Sequence, residues 1–136
     1  MIRQYSLAKD GNRKLAPSFN TREFRCRDGS DTILVDEALT VVLQCIREHF
    51  GKAVTITSGY RTPEHNAEVG GSKSSQHLLG RAADIRVAGE SVEDVAAYAE
   101  SLMPGWGGVG RYPVKAGRAT GWVHVDTRQN KSRWTL

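Results

Sequence analysis

The chain has no apolar run near the roughly 18 residues needed to span a bilayer, so no transmembrane helix is expected. Its first residues, Met1-Ile2-Arg3-Gln4-Tyr5-Ser6, carry a charge with no apolar segment behind it. No secretory signal is therefore expected, and synthesis in a cytoplasm follows. Cysteine is scarce: Cys26 and Cys45 form no CxxC pair and have no histidine at zinc-finger spacing, which argues against a finger-type site. Cys45 falls on the apolar side of an expected helix and reads as a buried free thiol, while a Cys26–Cys45 disulfide stays open. No Lys/Arg block occurs, although the net charge is +4. That balance suits either a polyanionic partner such as an anionic wall or simply a mildly basic solvated surface. No internal repeat or low-complexity stretch is present, and 136 residues suffice for one domain with its own core.

What is present organises into helices and strands without a regular βαβ rhythm. Met1 to Ala16 is polar and weakly patterned and reads as an arm (1–16) ahead of a domain over 17–136. Phe19 and Phe24 are expected anchors of an entry loop. From Asp36 to Phe50, Leu39, Val42, Leu43, Ile46 and Phe50 recur at three- and four-residue steps, predicting a helix stopped by Gly51. Ala53–Thr57 alternates as a strand, and Thr62-Pro63 opens a short helix ended by Gly70-Gly71. Ala82–Val87 predicts a strand with Asp84 and Arg86 on one face. Ser91-Val92-Glu93-Asp94 opens a helix through Met103. Gly107–Tyr112 and Trp122–Arg128 predict a hairpin, and Gln129–Leu136 is a polar tail apart from Trp134. The expected class is α+β, a single domain with a small, mostly antiparallel sheet flanked by helices.

Three side chains carry most of the chemistry: His77, Asp84 and His124. Two imidazoles and a carboxylate make a three-ligand set for a catalytic zinc, with a fourth position left to water. Such a site generates a nucleophile near neutral pH. His124 and Asp126 lie two residues apart on a strand and face the same way as Trp122. Asp84 comes from a neighbouring strand and His77 from the loop before it, with Gly80 turning the chain between them. Taken singly, each is also an ordinary strand histidine or paired aspartate.

Their flanks narrow the choice. Ser58-Gly59-Tyr60-Arg61-Thr62-Pro63, Asn66, Gly70-Gly71, Ser75-Gln76-His77-Leu78-Leu79-Gly80-Arg81-Ala82-Ala83-Asp84-Ile85 and Val123-His124-Val125-Asp126 occur in this order. Over about Phe19 to Arg128 the chain resembles the M15 family of zinc D,D-carboxypeptidases and peptidoglycan endopeptidases, which includes phage and prophage lysins and shares its fold with hedgehog signalling domains. The resemblance implies zinc (Zn2+) at His77, Asp84 and His124, and places Arg61 beside it to stabilise the oxyanion of a tetrahedral intermediate. An ordinary salt bridge from Arg61 to Asp84 or Asp126 is the other reading. Many members carry an acid or histidine two or three residues before the last ligand; here Gly121 and Trp122 stand there, and neither moves a proton. Asp126 is then either the general base or the acceptor that orients a ligand histidine, and Glu64, Glu68 and Asp94 stay open as other acids for the base. Ser75 reads as a substrate contact or a loop-shaping hydroxyl, and Tyr112 and Trp122 as a cleft wall or core packing. His49 ends a helix, where a cation suits the dipole, and His65 reads as a surface group, with a place on the cleft wall the other reading.

The sequence thus predicts a zinc metallopeptidase, a hydrolase cleaving peptidoglycan stem peptides as carboxypeptidase or endopeptidase. It is expected to be monomeric and to act at the bacterial cell wall, as a phage- or prophage-encoded lysin would. The rival is a catalytically silent zinc module that binds wall or protein. Nucleic acid is not an expected partner, because no Arg/Lys-rich recognition helix occurs.

Overall fold

The computed structural model describes residues 1–136. The first sixteen residues, expected as an arm, hold a strand, Ile2–Ser6 (β1), a single helical turn, Leu7–Asp10 (α1), and a short strand, Lys14–Ala16 (β2). β2 pairs with Phe19–Asn20 (β3), and β1 pairs antiparallel with Thr32–Asp36 (β4). β1 alternates too weakly to announce itself. Its partner supplies the reason it forms, since Ile33 and Val35 of β4 are buried in the core.

Asp36 ends β4 and caps the helix that follows, Glu37–Phe50 (α2), accepting from the Ala38 amide. Gly51 closes that helix in the left-handed region, at φ 64°. Leu39, Val42, Leu43 and Ile46 form its buried stripe. Each such side chain contributes about 1.5–3 kcal/mol through the apolar surface it withdraws from water.

Val54–Ser58 (β5) is followed by Pro63–Glu68 (α3), opened by the Thr62 cap with Pro63 in its first turn. Next come Ala82–Val87 (β6), Val92–Leu102 (α4), Gly108–Tyr112 (β7), Trp122–Asp126 (β8) and Ser132–Thr135 (β9). The main sheet has the order β5-β6-β8-β7-β9, antiparallel except for the β7–β9 edge. α2 and α4 pack on it, joining Ile85, Val109, Val123 and Val125 into one core. The α+β class and the mostly antiparallel sheet are as expected. β9 was not: the polar tail is recruited as a parallel edge strand, and its Trp134 lies against the site described below. Cys26 and Cys45 are both free. No helix is long and apolar enough to cross a membrane.

Candidate metal centre

Strand register builds the centre. β6 and β8 pair with Asp84 directly opposite His124, so both side chains leave the same face of the sheet, away from Val123 and Val125. His77 arrives from a 3-10 turn, Gln76–Leu79, whose first amides are capped by Ser75; its Oγ accepts from the His77 amide at 3.2 Å. Gly80 ends that turn at φ 74°, with the Leu34 carbonyl oxygen only 2.4 Å from where a Cβ would sit. A side chain there would therefore displace the whole approach to Asp84.

His77, Asp84 and His124 converge, all buried, with their donor atoms within 4.8 Å of one another. His124 Nδ1 lies 3.2 Å from Asp84 Oδ1, and His77 Nε2 lies 3.4 Å from the same oxygen. Two ligands held about 2.0–2.1 Å from a tetrahedral zinc stand roughly 3.3–3.4 Å apart. The donor set and its spacing therefore fit such an ion.

The outer nitrogens are equally fixed. His77 Nδ1 is 2.7 Å from the Gly59 carbonyl, to which it donates, leaving Nε2 free to face the centre. His124 Nε2 donates to Asp126 Oδ2 at 2.7 Å, leaving Nδ1 to face it. Asp126 in turn accepts from Arg128: Nη2 at 2.6 Å, Nε at 2.8 Å and the backbone amide at 3.1 Å. Burial pushes the Asp126 carboxyl up, but His124 and Arg128 outweigh it and hold it well below the usual carboxylate range. Asp84 behaves likewise, with burial overcome by the two imidazoles. Burial would also lower His124, yet its bonds to Asp126 and then Asp84 raise it. Without an ion, the pair of carboxylates favours the imidazolium. A divalent cation held there would take the place of that proton.

The glycines of β7 make room for this arrangement. A Cβ on Gly108 would lie 2.2 Å from Asp126 Oδ2, and one on Gly110, opposite His124 in register, would lie 2.4 Å from the Trp134 ring. With no side chain at 110, Trp134 packs over His124, with ring centroids 5.0 Å apart.

The centre opens into a cleft of about 490 Å³. Arg61, Ser75, Tyr112 and Trp122 line it together with the three buried donors. Asp126 does not: it is 0% exposed and lies behind His124. Arg61 Nη2 is 3.5 Å from Asp84 Oδ2, while Nε and Nη1 donate to Ser58 Oγ at 3.1 Å and Asn66 Oδ1 at 3.3 Å. Tyr112 and Trp122 stack at 4.8 Å with Arg118 over both rings, forming one wall. Arg128 and Trp134 also line the cleft and were not anticipated. The signal for Arg128 was available, since 122, 124, 126 and 128 share one strand parity. Trp134 was detectable only as an aromatic isolated in a polar tail. His49 stacks on Tyr98 and takes no part in the cleft.

A mixed sheet that brings two buried histidines and an aspartate to the floor of an arginine-flanked cleft defines a metal-dependent class of protein. Residues 17–126 match the family model described as peptidase M15, and the chain belongs to that family. It is 38% identical over 79 residues to a probable peptidoglycan L,D-endopeptidase, MepK, of Haemophilus influenzae, covering 54% of this chain and 39% of the relative. It is 33% identical over 73 residues to a zinc D-Ala-D-Ala carboxypeptidase of Streptomyces albus G, covering 48% of this chain and 29% of the relative. Each match thus spans well under half of the relative's length.

Proposed function

We propose that the chain is a zinc peptidase that cuts peptide bonds in peptidoglycan stem peptides. The observation that carries this reading is the buried His77–Asp84–His124 cluster, with donor separations of 3.2 and 3.4 Å at the floor of the cleft. The names of both relatives, one a zinc carboxypeptidase and one a peptidoglycan endopeptidase, support the metal and the substrate class.

His77, Asp84 and His124 would hold the zinc, which when bound acts as a Lewis acid and lowers the pKa of water beside it. Arg61 meets the negative charge that develops on the scissile carbonyl oxygen. Its other nitrogens are already committed to Ser58 and Asn66, so the guanidinium is oriented before substrate arrives. Tyr112 and Trp122 offer a flat wall to the stem peptide, and Ser75 shapes the turn that presents His77. Asp126, with both oxygens engaged and no opening to the cleft, is a positioning residue that fixes His124 rather than a base acting on substrate. The basic balance of the chain suits an anionic wall.

The test is digestion of purified muropeptides, read by mass spectrometry, using zinc-loaded wild type and His124→Ala. The expected result is cleavage by the wild type and none by the variant. Intact muropeptides from wild type that has been shown to carry zinc would overturn the proposal in favour of a binding module.

A further inference from the structure

A second donor cluster lies outside the cleft, and none of its residues lines it. Cys26, Asp28 and His65 come from two segments far apart in the chain, yet a thiol sulfur, a carboxylate oxygen and a ring nitrogen stand within 4.8 Å of one another. The geometry points to a second divalent-cation site at Cys26, Asp28 and His65, selective for a borderline-soft ion of the zinc class.

The chemistry of the set is the first argument. Thiolate, imidazole and carboxylate together match the ligands zinc takes, whereas calcium and magnesium prefer oxygen alone. Burial is the second. Cys26 is fully enclosed and Asp28 is exposed, so the donor set runs from the packed interior to the surface. The third argument is an orphaned atom. His65 Nδ1 is shut off from solvent and has no hydrogen-bond partner; Glu68 Oε2, at 3.7 Å, is beyond reach. The ring thus keeps a buried nitrogen that the protein itself does not satisfy.

Thr62 preorganises all three donors. Its amide donates to Cys26 Sγ at 3.4 Å, its hydroxyl donates to Asp28 Oδ2 at 3.0 Å, and the same oxygen accepts from the His65 amide at 3.2 Å. Asp28 Oδ1 also accepts from the Ser30 amide at 2.9 Å, so both carboxylate oxygens are fixed before an ion arrives. Binding would convert the Cys26 thiol to the thiolate and release its proton to solvent. The ion would tie the loop after the first phenylalanine anchors to the opening of α3. Arg61 immediately precedes that opening, so the clamp would hold the segment that presents the cleft arginine.

Cobalt(II) distinguishes the two centres, because only a site containing Cys26 gives a thiolate-to-cobalt charge-transfer band in the near ultraviolet. The full chain carrying His124→Ala, stripped with chelator and titrated with cobalt, is expected to develop that band saturably. Adding Cys26→Ser should abolish it and adding Cys45→Ser should leave it. Asp28→Asn and His65→Ala, both away from the core floor, should each weaken cobalt binding at least about tenfold, the lower end of what even an outer partner's loss costs. Circular dichroism checks that each variant remains folded. Absence of the band, its dependence on Cys45, or unchanged affinity in both Asp28→Asn and His65→Ala would overturn the assignment.

Discussion

Replacing Asp126 by asparagine keeps the side chain's volume but puts an amide where a carboxylate accepts from every side. Oδ2 receives His124 Nε2 at 2.7 Å and Arg128 Nη2 at 2.6 Å, while Oδ1 receives Arg128 Nε at 2.8 Å and its backbone amide at 3.1 Å. Whichever way the amide turns, its NH2 faces donors. One orientation opposes His124 and forces the imidazole toward the other tautomer, with the proton on the nitrogen that should bind metal. The other opposes Arg128. A buried donor left unsatisfied costs about 1–3 kcal/mol. Loss of an outer partner of a metal-bound histidine costs about 10–100-fold in affinity, or about 1.4–2.8 kcal/mol. These two figures agree. Zinc affinity is measured by competition with a chromophoric chelator, and turnover is then measured at saturating zinc. The expected outcome is zinc binding weakened 10–100-fold, with most of the lost activity returning when zinc is in excess. If zinc binding is unchanged and kcat falls at every zinc concentration, Asp126 moves protons and the positioning argument fails.

Other consequences can be checked separately. Gly108→Ala forces a methyl against the Asp126 carboxylate and should cost about 1–3 kcal/mol of stability, while weakening zinc binding in the same chelator assay; a neutral result would mean β7 yields easily. Removing zinc should lower Tm by roughly 10–15 °C when the ion had been present at about a thousand times its Kd, and calorimetry with and without chelator reads this directly. Glu100 accepts from Arg111 Nη1 at 2.8 Å and Nη2 at 3.1 Å, a bidentate pair joining α4 to β7. Arg111 holds the Glu100 carboxyl below its usual value despite partial burial. Its stabilisation is therefore present above the unfolded value, near pH 4.3, and fades as pH falls through the lower folded value. Glu100→Gln should cost about 1–2 kcal/mol at pH 7 by denaturant titration, with wild type and variant converging as pH falls through the lowered folded value. Leu43→Ala, at a fully buried position of α2, should cost about 2–5 kcal/mol in the same experiment.

The convergence of His77, Asp84 and His124 was legible because its constraints are local. Strand parity put His124 and Asp126 on one face, Gly80 marked the turn between two donors, and capping residues marked α2, α3 and α4. What escaped was set by pairing across distance. β1 exists because β4 buries Ile33 and Val35 beside it, and β9 because β7 leaves an open edge; neither strand's own alternation is strong enough to declare this. The choice between the two roles weighed for Asp126 likewise depends on Arg128 folding back two residues to occupy both oxygens. The Cys26–Asp28–His65 cluster was invisible for a similar reason: Thr62 gathers residues that no spacing rule connects.

The placement of the final strand has a practical side. Leu136 and Trp134 both border the cleft, so anything fused after residue 136 emerges on its rim. A purification tag of consecutive histidines at that end would present rival imidazoles to the same ion and could mimic inhibition or inflate measured metal content. Met1 is exposed and does not border the cleft, which makes the opposite end the safer attachment point.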